Sequence, residues 1–404
     1  MSRVQFKNRK GLTLTGDIEW PAGGRAKAFA LFAHCFTCTR NFKASINICR
    51  ALAAEDIAVM RFDFTGLGQS QGDFTDTNFS ANVDDLEDAA AFMAEQLQAP
   101  QLVIGHSLGG TAALAVAARI ESCRAVVSIN SPADPAHVLH HMDSKLEEIK
   151  DAGSAQVKLG GRPFRIAQEF VDDVQQSNIL SNLHDLKRAL LVLHSPVDSV
   201  VSVENAQQIF THAIHPKSYV SLGQADHLLS READSHYVGE VIAHWAQRYI
   251  ELPENEVIEG VVASGRLEHQ FLTRLSSADH QWLADEPEHY GGSNQGPGPY
   301  DLLAAALGSC TTMTLNMYAR HKKLPVEAVH CRVEHSRIHA NDCNDCETAN
   351  GKVDVLTRHI RIEGDLTPEQ HERMLEIADR CPVHKTLSHE IKIRTQHEAA
   401  LATA

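Results

Sequence analysis

The chain has 404 residues, more than one hydrophobic core usually serves, and a prior of roughly 150 residues per domain points to two or three domains, of which two are carried forward. With 43% apolar and 22% charged residues, it has the composition of a folded protein with enough apolar content for sizeable cores. A formal net charge of -15 repels phosphate backbones and anionic lipid surfaces, which argues against a nucleic-acid or membrane-surface role.

The first ten residues, MSRVQFKNRK, are charged and have no apolar run behind them. No stretch approaches the roughly 18 apolar residues of a membrane span, so a cytoplasmic location is expected. Nine cysteines, an odd number without an export signal, argue against a framework of structural disulfides and leave reactive or metal-bound thiols as the default.

Two N-terminal runs, SRVQFKN and LTLTGDIEW, read as an antiparallel hairpin at a sheet edge. Six strand candidates follow, at 28–34, 57–64, 101–106, 124–130, 188–195 and 217–223. Helical stretches at about 43–55, 80–98, 107–119, 204–213 and 234–250 separate most of them, the pattern of a doubly wound, mostly parallel α/β sheet. The charged segment from about Ser131 to Leu186 breaks the rhythm and reads as a small helical lid over the sheet.

The first domain is thus expected over 1–250, with the Pro-containing acidic ELPENE at 251–256 as linker and a second domain over 257–404. There VIEGVVAS, RLEHQFLTRL and DHQWLADE read as a β-meander, followed by a long helix at 299–322 and a β pair near 326–338 and 351–363. The helix LTPEQHERMLEIADR, a helix start at CPVHKTLS and a last strand EIKIRTQ complete an α+β domain.

Gly105-His106-Ser107-Leu108-Gly109 stands where an apolar strand ends and the small-residue helix GTAALAVAAR begins. Glycines at 105 and 109 relieve crowding at a sharp turn that lifts the Ser107 hydroxyl above the sheet, and the Leu108 N–H points toward a developing oxyanion. Serine needs a base, and the base needs an orienting acid. Asp198 lies in the loop beyond the next-to-last strand and His227 just after the last one, giving the order Ser, Asp, His; Asp134 and Asp226 are the lesser candidates for the acid. Cys35-x-x-Cys38 and Cys49 lie near the first strand end; they can be redox active, bind metal, or serve as small apolar core residues.

Over residues 1–250 these features resemble the α/β-hydrolase superfamily, in its serine aminopeptidase and lipase-like branch. FDFTGLGQSQGDF, with Arg61 ahead of it, looks like that family's arginine- and glycine-bearing loop. Such families take a second oxyanion donor from the residue after a His-Gly pair. His34-Cys35-Phe36 replaces that glycine, and the donor the resemblance implies is the Phe36 N–H. The chemistry expected is acyl transfer from a small-molecule ester, thioester or amide to water: Ser107 attacks, His227 moves the proton, Asp198 orients it, and Leu108 with Phe36 binds the oxyanion.

In the second domain, PYDLLAAALGSCTTMTLNMYARHKKLPVE and Cys381-Pro382-Val383-His384-Lys385 together resemble the OsmC and organic-hydroperoxide-resistance superfamily. The resemblance implies that Cys310 attacks a peroxide and Cys381 resolves the sulfenic acid as a disulfide, with an organic hydroperoxide and a thiol reductant as partners. It also implies a homodimer through this domain. Peroxidase members supply an arginine from the meander, here Arg274 ahead of Arg266, and a glutamate whose position holds Tyr300, with Asp301 the nearest carboxylate. The alternative is a non-catalytic dimerisation or ligand-binding module.

No cofactor is expected. In HSRIHANDCNDCET, Cys343-x-x-Cys346 with His339 offers three ligands of a tetrahedral metal site, a redox pair, or a polar hairpin. Scattered histidines such as His137, His212 and His289 are given no role.

Overall fold

A computed structural model describes residues 2–159, 162–253, 259–278, 280–339 and 352–397. The chain forms two compact units, Met1–Leu283 and Ala284–Ala404.

The first unit opens with β1 (Ser2–Lys7), β2 (Thr13–Glu19), β3 (Ala28–Ala33), α1 (Lys43–Ala54), β4 (Ile57–Phe62), α2 (Phe79–Gln96), β5 (Leu102–His106), α3 (Leu108–Val116) and β6 (Ala125–Ile129). Then come α4 (Leu146–Ala152), β7 (Ser154–Leu159), β8 (Arg162–Ala167), α5 (Gln168–Gln176) and α6 (Leu180–Leu183). The sheet resumes with β9 (Ala189–His194), α7 (Val203–His212), β10 (Lys217–Ser221) and α8 (Glu232–Ala246), before β11 (Val262–Gly265), β12 (Thr273–Ser277) and β13 (His280–Ala284).

The eight-stranded sheet has the order β1-β2-β4-β3-β5-β6-β9-β10. The β1–β2 hairpin and the β2–β4 pair are antiparallel, and the remaining pairs are parallel. Strands β3, β4, β5, β6 and β9 are buried along their whole length, which is why they read as continuous apolar runs rather than alternating ones. Within β3, Ala28, Ala30 and Phe32 face Ile48, Leu52, Val238 and Ile242 of α1 and α8. Phe29, Leu31 and Ala33 join the opposite layer, with Leu86 and Met93 of α2 and Ala112 and Ala113 of α3. Helix α2 is started by Asn78, whose side chain accepts the Ala81 N–H at 2.8 Å.

The lid departs from the all-helical expectation. A 3-10 helix over Pro135–Lys145 and α4 are followed by the antiparallel hairpin β7–β8, then α5 and α6. Buried Ala155, Val157 and Leu159 alternate with exposed Gln156 and Lys158, a period of two that only a strand with one packed face satisfies.

The meander forms the sheet β11-β12-β13 and belongs to the first unit. Arg274 donates to the Ala54 carbonyl at 2.7 Å and pairs with Asp56 at 2.5 Å, while Arg266 lies over the Trp20 ring at 4.9 Å. The compact division therefore falls after Leu283, downstream of the 251–256 segment chosen from composition.

The second unit contains α9 (Pro299–Lys322), the antiparallel ribbon of β14 (Val326–His339) and β15 (Lys352–Gly364), α10 (Pro368–Ala378) and α11 (Pro382–Leu387). Thr367 and Gln370 form a reciprocal capping box at the start of α10. Leu315, Ala319, Ile362, Met374, Ile377 and Ala378 make a small core. The expected last strand, EIKIRTQ, is not a strand: Ile391 and Ile393 are 51% and 89% exposed, and no described strand pairs with the segment. Alternation alone does not hold a strand without an edge to join.

Candidate active sites

The turn between β5 and α3 puts Ser107 at φ 56° and ψ -132°, a left-handed conformation that a serine adopts only when its surroundings enforce it. They do so by close backbone approach. A Cβ on Gly105 would lie 2.2 Å from the Gly109 carbonyl oxygen, and one on Gly109 would lie 2.2 Å from that of His34. The turn is thereby wedged between β3 and its own helix, and the hydroxyl stands at the carboxyl edge of the sheet, where open α/β sheets place their sites.

His227 Nε2 lies 3.1 Å from Ser107 Oγ, and His227 Nδ1 lies 2.7 Å from Asp198 Oδ2. The other Asp198 oxygen accepts the N–H groups of Val200 and Val201 at 2.8 and 3.0 Å. Burial pushes the Asp198 carboxyl up, but the His227 hydrogen bond and charge and the two N–H groups outweigh it, holding the carboxyl below the usual range. The alternative acids are spent elsewhere: Asp134 caps the lid's 3-10 helix through the Ala136 N–H, and Asp226 accepts the Ser230 N–H.

Two residues that sequence reasoning passed over tie this arrangement together. Asn130 donates to the His227 carbonyl at 3.0 Å and accepts the Ser195 N–H at 2.9 Å, joining the loops that carry base and acid. His106 Nε2 donates to the same carbonyl at 2.7 Å. Burial, then the charge of His227, drives His106 down to about 3, so it stays neutral beside His227. Adjacency to Ser107 was the one sequence signal for His106, and Asn130 at the end of β6 had none.

A cavity of about 660 Å³ opens over Ser107 and His227, bordered by Phe36, Leu108, His137, Lys158, Arg162 and Val201 among others. Both expected oxyanion residues, Phe36 and Leu108, thus border the cavity with Ser107. Cys35 and Cys38 line it too, and they are joined as a disulfide. Buried Arg40 closes their loop, donating to Asp17 at 2.7 Å and pairing with Asp63. Arg61 is buried against Glu19, and burial pushes the neighbouring Cys49 thiol up to about 12, making it an inert core group.

In the second unit Cys381 is fully buried and Cys310 half-buried, and both are free thiols. Cys381 Sγ accepts the His384 N–H at 3.2 Å and the Thr311 hydroxyl at 3.7 Å. Burial raises the Cys381 thiol, but these donors, the Cys310 thiol and the Arg358 charge together bring it below its ordinary value. Arg358 also donates to Thr311 Oγ1 at 3.1 Å, the Ala378 carbonyl at 2.9 Å and His384 Nδ1 at 2.9 Å.

The two thiol-activating candidates have partners of their own. Arg274 spends its guanidinium on Asp56 and Ala54, and Asp301 accepts the Gly298 N–H at 3.0 Å as the cap of α9. Within the second unit Arg358 is a cation at the pair, which no motif marked because it stands in the middle of β15. Tyr300 stacks on His335 at 4.2 Å. Cys343 and Cys346 lie outside the described residues, as does the side chain of His339. Among the described residues no group of three or more His, Cys, Asp or Glu is placed to hold a metal ion, and no helix is long and apolar enough to cross a membrane.

A serine held on a strained strand-to-helix turn, with histidine and aspartate from later strand ends of a mostly parallel sheet, defines an α/β-hydrolase. The family model for serine aminopeptidase, S33, matches residues 25–139, and that for OsmC-like protein matches 292–396. The esterase domain of a Rhodothermus marinus protein is 46% identical with a TM-score of 0.52, over 61% of this chain and 98% of that one. Alpha/beta hydrolase domain-containing protein 10 from mouse is 20% identical with a TM-score of 0.52, over 61% and 99% of the two chains. Est1E from Butyrivibrio proteoclasticus, with ferulic acid bound, is 16% identical with a TM-score of 0.51, over 61% and 98%. These last two show the fold alone. No curated protein matches the chain. The chain belongs to the α/β-hydrolases in its first part and carries an OsmC-like domain in its second.

Proposed function

We propose that the first unit hydrolyses small-molecule acyl esters, with thioesters and amides as chemical relatives of the same reaction. The observation that carries this reading is the hydrogen-bonded line Asp198, His227, Ser107 at 2.7 and 3.1 Å beneath one cavity. His227 takes the Ser107 proton as Oγ attacks the carbonyl, and Asp198 holds the imidazole oriented and stabilises its charge. The developing oxyanion is received by the Leu108 and Phe36 N–H groups. The 46% identical neighbour is described as an esterase domain, which favours esters among the three.

Ser107→Ala is expected to lower kcat on p-nitrophenyl acyl esters by at least about 10⁴-fold while leaving the fold intact by circular dichroism. Unchanged turnover would sink the assignment.

For the OsmC-like domain we propose reduction of organic hydroperoxides. Cys310, the more accessible thiol, attacks the peroxide O–O bond, releasing an alcohol and becoming a sulfenic acid. Cys381 then displaces water from it to form a disulfide, which an external thiol reductant reopens. The lowered Cys381 thiol supports the second step, because resolution needs a thiolate. A homodimer through this domain accords with the exposure of Met313 and Met317 on α9, 64% and 72%, above a core of few residues. We place the protein in the cytoplasm, where free thiols such as Cys310 and Cys381 are kept reduced.

A further inference from the structure

The Cys35–Cys38 disulfide lies inside the hydrolase cavity and brackets the residue whose N–H is to bind the oxyanion. Among the described residues, the other hydrogen bonds and ion pairs that hold this loop are at its ends. Upstream, β3 runs directly into His34, whose Nδ1 donates to the Cys35 carbonyl at 2.8 Å. Downstream, the Arg40 N–H donates to Asp63 at 2.8 Å and its guanidinium is locked between Asp17 and Asp63. Between them the Cys38 N–H to Cys35 carbonyl bond, 3.1 Å, and the disulfide close the turn around Phe36 and Thr37. The Phe36 ring in turn packs on Phe74 and on Phe170 of the lid helix α5, with ring centroids 5.3 and 5.0 Å apart.

We propose that Cys35–Cys38 is a redox site of the hydrolase: a dithiol reductant opens it by thiol–disulfide exchange, and the closed form positions the Phe36 N–H for turnover. The proposal rests on the esterase reading. A thiolate of the dithiol attacks the sulfur of half-buried Cys38, and Cys35, which is buried, leaves as a thiolate and takes up a proton. The second thiol of the reductant then attacks the mixed disulfide and releases Cys38. Two electrons and two protons have passed to the pair, and the reductant departs as its own disulfide. The open loop keeps its anchors at His34 and Arg40 and the Phe36 ring packing but loses the covalent tie across the turn, so substrate still binds while the Phe36 N–H is no longer held on the oxyanion. Cys35 and Cys38 are positioning residues, acting through Phe36. A disulfide of this kind in a reducing compartment is expected to cycle rather than serve as a permanent staple.

The tryptic fragment AFALFAHCFTCTR, residues 28–40, contains both cysteines and no others, so its mass after alkylation reports their state directly. In the full-length protein, dithiothreitol should add two alkyl groups to this fragment. It should lower kcat on a p-nitrophenyl ester by about 10² to 10³, the cost of one oxyanion donor, with KM little changed. Reoxidation should restore kcat, and Cys35→Ser with Cys38→Ser should behave as the reduced enzyme and ignore dithiothreitol. A fragment alkylated twice before any reduction, or a kcat indifferent to the redox state, overturns the proposal. Absence of turnover in either state, with a fluorophosphonate failing to label Ser107, overturns the esterase reading and this proposal with it.

Discussion

His106 shows how much a single buried ring can govern beside the proposed catalytic base. It is sealed from solvent, its Nδ1 has no hydrogen-bond partner among the described residues, and its Nε2–H supports the backbone of His227. A charged imidazole there would meet both a low dielectric and a second histidine, which is why it titrates at about 3. In the unfolded chain the same group titrates near 6.5, so between pH 6.5 and about 3 the unfolded state binds more protons than the native one. Stability is therefore full above pH 6.5 and is lost as the pH falls toward 3, at up to about 1.4 kcal/mol per pH unit from this group. His106→Gln keeps a donor for the His227 carbonyl and removes the titration. Urea unfolding at pH 7 and pH 4.5 should show the wild type losing more stability over that interval than the variant. Parallel losses would mean that the ring is charged or hydrated in the folded protein.

At the scale of elements, the sheet and its crossover helices were legible because each central strand is an uninterrupted apolar run and each helix has its own period. The hydrogen-bonded grouping of Ser107, His227 and Asp198, the candidate triad, was legible for a related reason: Gly105 and Gly109 mark the elbow, and strand ends mark where Asp198 and His227 fall. What escaped was information carried across the chain. Asn130 acts only through loops that lie far from it in sequence, and Arg358 reaches Thr311 from a strand with no motif of its own. The lid hairpin was missed because its charged flanks, LEEIKD and EFVDDVQQ, outweighed the alternation in AQVKL. That hairpin matters for substrate choice. Lys158 on β7 and Arg162 on β8 border the cavity, neither side chain has an ion pair or hydrogen bond among the described residues, and among those residues no carboxylate lines the cavity with them. In a chain of net charge -15 this is a local field of the opposite sign. An acyl group ending in a carboxylate should gain from it: the mono-p-nitrophenyl ester of a dicarboxylic acid should be preferred over the neutral ester of equal length. Lys158→Gln with Arg162→Gln should erase about tenfold of that preference in kcat/KM, and so should raised salt. Equal losses for charged and neutral esters would assign the pair to lid stability instead.

For the whole molecule, the question is whether the chain joins two enzymes or one enzyme and a binding module. A module that only binds or dimerises has no reason to lower a buried thiol. Yet Cys381 is met by the His384 N–H, the Thr311 hydroxyl, the Cys310 thiol and the Arg358 guanidinium together, enough to overcome the burial that opposes its ionisation. Its full burial also leaves Cys310, the more accessible of the two, as the sulfur that a peroxide meets first. One equivalent of an organic hydroperoxide should therefore remove two free thiols and leave a Cys310–Cys381 disulfide in a peptide map. Cys381→Ser should halt at a Cys310 sulfenic acid that dimedone traps, while Cys310→Ser should abolish peroxide consumption. Arg358→Met removes the cation but spares both sulfurs, so trapping at Cys310 should persist while disulfide formation slows by about tenfold or more, as expected of a resolving thiol that ionises less readily. If the wild type keeps both thiols free under hydroperoxide, the pair is a structural contact and the second unit is a module appended to a hydrolase.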